Sequence, residues 1–170
     1  MNVTLLVLRI VHVLGAVFWA GSILFVVDFL QPALRAAGPD GLKVLVALRR
    51  RRYFEALPVF AVATLASGFA LFFRDFGRFH PGPGAGGAEL AYGIGGLASV
   101  VAFVIGLGVM RPSVVRLAAL ADEWLAAPAE RRAALDVEMA ALRARGKVAG
   151  RLVVVFLTIA MVTMAVGRYL

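Results

Sequence analysis

Residues Ile10 to Val27 read IVHVLGAVFWAGSILFVV, an apolar stretch of 18 residues without an acid, lysine or arginine and with one histidine, His12. A helix needs about 20 apolar residues to cross the roughly 30 Å hydrocarbon core of a bilayer. With its apolar flanks the stretch reads as a membrane span from about Val3 to Leu30. The terminus MNVTLLVL carries no early positive charge, and the apolar region exceeds the roughly 7–15 residues of a signal-peptide core. The expectation is a retained helix.

Three further apolar runs follow. Ala56 to Phe73 is free of charge, with Pro58 in its first turns, where proline is tolerated. Leu90 to Met110 gives 21 residues without a charge, and Leu152 to Gly167 is shorter, with Arg151 and Arg168 placed to snorkel. The chain therefore reads as all-α, a four-transmembrane-helix bundle in a single membrane domain, 1–170, with spans about 3–30, 54–74, 89–111 and 148–169. Composition agrees: 62% of the 170 residues are hydrophobic and 16% charged, against about 45–50% and 25% in soluble domains.

The connections differ in character. Gln31 to Arg52 is punctuated by Pro32, Gly38, Pro39 and Gly41. Its Gly41 to Arg52 part reads as helical and able to continue into the second span. Arg74 to Glu89 contains HPGPGAGG, a turn-rich loop carrying His80. Pro112 to Arg151 contains two helical patterns, Ser113 to Ala126 and Ala129 to Arg145, split by Pro128. Leu117, Leu120 and Trp124 share one face of the first; Leu135, Met139 and Leu142 share one face of the second. Such stripes suit a helical hairpin, loop 112–147, whose apolar faces pack together or rest on the membrane.

Lysines and arginines set the orientation. Six lie in 31–52 and eight in 111–151, against Arg9, Arg74, Arg78 and Arg168 elsewhere. Positive loops stay in the cytoplasm, so both termini and the His80 loop are expected outside and the hairpin inside, in a plasma (inner) membrane of bacterial type. The formal net charge of +8 is thus a topology signal, and nucleic acid is not an expected partner. The bilayer is; a homo-oligomer or a larger membrane complex is the remaining expectation. The chain has no cysteine, which excludes disulfides, zinc-thiolate sites and thiol catalysis. It also has no P-loop, nucleophile elbow, HExxH helix or dinucleotide fingerprint.

His12 is the chemically distinctive residue. It falls about 13 Å along the first helix, near mid-membrane, where a neutral imidazole is far cheaper than a charged one. The neutral ring is also the form that binds metal or haem iron. Arg9 precedes it by one turn on the same face, placed to clamp an anion such as a haem propionate or to snorkel outward. Trp19, two turns on, suits stacking on a flat ligand. Met161 and Met164 are candidate thioether partners, which with His12 would make a soft copper site; Met110 is a further thioether. The alternative is a structural histidine bonded to a neighbouring carbonyl or hydroxyl, such as Thr158 or Thr163. Asp28 and Glu55, beside Arg49 to Arg52, are expected to be ion-paired.

The stretch LRIVHVLGAVFWAGSILF (Leu8 to Phe25), with His12, Trp19 and Gly21, resembles the first helix of copper-resistance-D-like integral membrane proteins. It is also similar to that of the four-helix membrane protoporphyrinogen oxidase family. RRRYFEALPVFAVATLASGFALF (Arg50 to Phe72), with Ser67-Gly68, looks like the second helix of the same group. The resemblance implies a helix-one histidine serving copper handling in one branch and haem in the other, both falling on His12. The oxidase family's membrane lysine has no counterpart, because Lys43 and Lys147 lie in connections. Haem b or copper is therefore the expected cofactor, in redox or metal handling.

Overall fold

Asn2 opens the first helix, its side-chain oxygen accepting the Leu5 N–H at 3.4 Å, as N-caps do. The computed structural model describes residues 2–77 and 86–170, and these form helices joined by short turns. In order they are α1 Val3–Phe25, a π-helical turn Val26–Leu30, α2 Gln31–Ala36, α3 Pro39–Arg50, α4 Tyr53–Phe76, α5 Gly87–Ile105, a second π turn Gly106–Met110, α6 Arg111–Ala126 and α7 Ala129–Gly167. Four continuous helices are long and apolar enough to cross a membrane: Val3–Ala36, Tyr53–Phe76, Gly87–Ala126 and Ala129–Gly167. His80 lies outside the described residues.

The helices outrun the spans read from the sequence. Gly87–Ala126 has 40 residues, about 60 Å of helix, roughly twice the hydrocarbon thickness. The segment 112–147 is therefore no separate loop. Its two helical patterns are the far ends of the rods that contain spans three and four. Proline explains why this was hidden. Pro32 and Pro112 lack an N–H and crowd the carbonyl four residues earlier, which normally breaks a helix. Here each proline follows one residue after a five-residue π turn, VVDFL-Q-P and GLGVM-R-P. The wider turn accommodates the ring, and the helix carries on. The reverse holds after α3. Arg52 adopts a left-handed backbone, φ 58°, so α3 ends at Arg50 and turns into α4 rather than continuing into it.

In the bundle α1 packs along α4, and α5 along α7, the most extensive pairing. Trp19, Ala20, Ile23, Ala61, Ala102, Met110, Ala149, Val153 and Leu157 form its core. Buried hydroxyls satisfy themselves on the preceding turn: Thr64 donates to the Phe60 carbonyl at 2.8 Å, Ser99 to Gly95 at 2.9 Å and Ser113 to Val109 at 2.7 Å. Each of these three hydroxyls is thereby paired among its apolar neighbours. The outer faces carry Val17, Val59 and Leu97, each 67% exposed, as a bilayer-facing surface requires.

At one end α3, α6 and the first half of α7 make a second layer. Leu45, Val46, Phe54, Ala118, Leu120, Ala121, Leu135 and Met139 are buried there together. The expected stripes do face each other, with Leu117, Trp124 and Leu142 packed around them. The partner missing from that reading is α3, which closes the layer. Arg116–Glu138 and Arg131–Glu123 bridge α6 to α7, and Arg50–Asp122 bridges α3 to α6. These pairs are exposed and add little individually. Lys43 beside Asp40 holds that carboxyl below its ordinary range.

One arginine joins the two layers. Pro58 has no N–H to give the Phe54 carbonyl, and Arg111 supplies the donor instead, Nε to O at 3.1 Å. We expect Arg111→Met to cost about 1–2 kcal/mol, because a part-buried carbonyl loses its donor. In a Pro58→Ala background, where a helical N–H replaces the guanidinium, the same substitution should cost measurably less. Equal penalties in both backgrounds, by equilibrium unfolding in detergent, would contradict the pairing.

Candidate functional site

His12 projects from α1 onto α4. Its Nδ1 lies 2.9 Å from the carbonyl oxygen of Thr64. A carbonyl only accepts, so Nδ1 carries the proton, and in the neutral ring the lone pair is then on Nε2. The partner is thus a backbone atom of the second span rather than Thr158 or Thr163 of the fourth. The hydroxyl of Thr163 is bonded to its own helix, at 2.9 Å to the Ile159 carbonyl, and Thr158 is exposed.

Two glycines make this approach possible. A Cβ on Gly68 would stand 2.7 Å from His12 Cε1, and one on Gly15 would stand 2.5 Å from Thr64 Oγ1. Both distances are below contact, so α1 and α4 meet closely only because these positions lack side chains. Toward the C-terminal end of α1 the seam continues through Phe18 on Phe60, with ring centroids 4.1 Å apart.

The other candidates are distributed as follows. Arg9 is exposed one turn from His12 and makes no ion pair among the described residues. Trp19 is 5% exposed and turned into the bundle core. It stands edge-on to Phe103 at 6.4 Å, so its ring is occupied by packing. Met164 lies against α5, its Cγ 3.0 Å from where a Gly95 Cβ would stand. Met161 is 41% exposed. His12 thus works on the α1–α4 seam and Met164 on the α5–α7 seam. Met110 is buried in the core near Gly150. Among the described residues no three His, Asp or Glu side chains group as a metal site would require. Asp28 and Glu55 are exposed, and neither is in an ion pair among the described residues.

For a haem, the observed donor set offers one imidazole nitrogen, oriented by a hydrogen bond on the other. That is the usual support for a ligating histidine. For copper it offers the same nitrogen, with the thioethers on a different seam.

Two features escaped the sequence reading. Arg111 on the Phe54 carbonyl was detectable in principle, since a proline four residues after Phe54 announces a free acceptor. The second is a chamber beneath the bundle, about 480 Å³, bordered by the first π turn, α2, α3, the start of α4, α6 and α7. No sequence pattern announces it, because six separate segments contribute to its wall.

The chain matches no protein-family model, no curated protein and no solved structure.

Proposed function

We propose that this is an integral inner-membrane protein that binds haem b through His12 Nε2 and works in redox or haem handling. The observation that carries the reading is the His12–Thr64 hydrogen bond, which presents Nε2 as the ligating nitrogen. Arg9, one turn toward the N-terminal end, is the group to meet a propionate. The resemblance of the first helix to copper-resistance-D-like and membrane protoporphyrinogen oxidase proteins points the same way. His12 would be the one protein ligand this chain offers such a group, and the group would supply one-electron chemistry. Haem is preferred to copper because Met161 and Met164 do not share the His12 seam.

Fourteen of the eighteen lysines and arginines lie in the connections 31–52 and 111–151, at the end where the second layer forms. The positive-inside rule then puts that layer in the cytoplasm and both termini outside. A cysteine placed at Gly84 should react with an impermeant reagent added to intact cells. Protection there, with labelling at Ala127→Cys, would reverse the orientation.

One observation favours a second reading, an accessory or assembly subunit with a structural histidine. Gly68 gives the imidazole a fitted seat, which a purely structural pin would also use. An absorption spectrum of the purified protein separates the two. The haem reading expects a Soret band in the wild type, lost in His12→Ala while helix content stays. A colourless wild type from haem-supplemented cells overturns it, and stoichiometric copper in that preparation transfers the site to the metal.

A further inference from the structure

We propose that the chamber beneath the first π turn holds one anionic phospholipid, with the phosphate on Arg35 and Arg143. The proposal is independent of the His12 reading. The chamber is about 480 Å³, within the range of small-molecule sites. Much of its wall is apolar, from Leu34, Leu45, Leu117 and Leu142. Two arginines and one acid are its charged groups. Arg35 and Arg143 both line it, and neither has an acidic partner among the described residues. By contrast Lys43, Arg50, Arg116 and Arg131 are each paired with a carboxylate. Trp124 also lines the chamber, its ring covered by Arg132 at 4.7 Å.

The one carboxylate on the wall is Asp136. It leaves the lining net positive, and it suits a headgroup that carries hydroxyls, such as glycerol. Depth points to a lipid rather than a soluble anion. Val26 and Leu30 of the π turn form the upper wall, so the chamber begins where the first apolar span ends and the basic segments start. Basic pockets at this level take acidic headgroups. A smaller apolar cavity of about 60 Å³ adjoins it, sharing Val26, Tyr53, Phe54 and Val114 and leading toward Trp19 and Phe103. That path accepts the start of an acyl chain.

The test is native mass spectrometry of the full-length protein released from micelles doped with phosphatidylglycerol or phosphatidylcholine. One phosphatidylglycerol should be retained and phosphatidylcholine should not. Arg35→Gln with Arg143→Gln should weaken retention about tenfold, from the loss of two cationic contacts to an acidic headgroup. Gly146→Leu fills the chamber without touching charge, since a Cβ there meets only Ser113 at 3.8 Å, and it should weaken retention as well. Arg131→Gln, on an outer ion pair, should leave it unchanged. Arg35 is exposed, so Arg35→Gln alone retains the fold and should show part of the loss. Equal retention of both lipids, or unchanged retention in the arginine and Gly146 variants, overturns the proposal. Displacement of phosphatidylglycerol by millimolar inorganic phosphate would reassign the site to a soluble anion and overturn it too.

Discussion

Leu135→Ala is expected to destabilise the protein by about 2–5 kcal/mol, the range for removing a well-packed leucine from a core surrounded by water. Leu135 is 1% exposed and packs with Leu120 at 1% and Met139 at 0%. These side chains belong to the second layer, which the proposed topology puts in water, and on that placement unfolding exposes them to water and the full hydrophobic term applies. Leu157 is as well buried, at 2%, but it lies in the bundle core, where the displaced surroundings are lipid. Lipid tails are as apolar as leucine, so Leu157→Ala forfeits packing without a transfer term, and about half the penalty is expected. The comparison is read by equilibrium unfolding of both variants in mixed micelles. Equal costs would mean that the second layer sits at membrane depth.

Gly68→Ala should cost about 2–3 kcal/mol, combining overpacking with strain on the His12–Thr64 hydrogen bond. A methyl group at that position falls 2.7 Å from His12 Cε1 and 3.0 Å from Nδ1. The ring cannot retreat without leaving the Thr64 carbonyl. Gly21→Ala provides the control, because no atom lies within 4 Å of a Cβ there, and alanine is otherwise the better helix former. It should be neutral or slightly stabilising. The decisive measurement is a double-mutant cycle. In a His12→Ala background most of the Gly68→Ala penalty should vanish, and additive penalties would show that imidazole and glycine are not neighbours.

The parts of this fold visible in the sequence are those written in apolar periodicity. The four apolar runs became four long helices, and the stripes Leu117, Leu120, Trp124 and Leu135, Met139, Leu142 met as their spacing required. What stayed hidden depended on backbone atoms or on distant chain. Pro32 and Pro112 looked like the ends of helices because local rules treat proline so, yet a π turn before each removes the conflict. Gly41 to Arg52 read as a helix within a charged connection, but its buried face stayed hidden, because Leu45 and Val46 acquire a purpose only once α6 lies beside them. His12 was legible as an unusual residue in a span. Its partner was not, since Thr64 contributes a carbonyl that every residue possesses, and Gly68 contributes the lack of a side chain.

The two π turns also set a rotational phase. Each adds one residue to its helix, and one residue corresponds to about 100° around the axis. Both turns lie beside Gly150 of α7, where a Cβ would meet Val27 at 3.0 Å and Met110 at 3.9 Å. The chain therefore changes angular frame twice at a single level. Above that level the apolar arcs of α1 and α5 are indexed to the bundle; below it, those of α2 and α6 are indexed to the second layer. Shortening either turn by one residue would leave every helix intact in length and hydropathy. It would swing Leu117 and Leu120, or Leu34, about a quarter-turn away from their partners. The width of those two turns thus decides which way the lower half of the molecule faces.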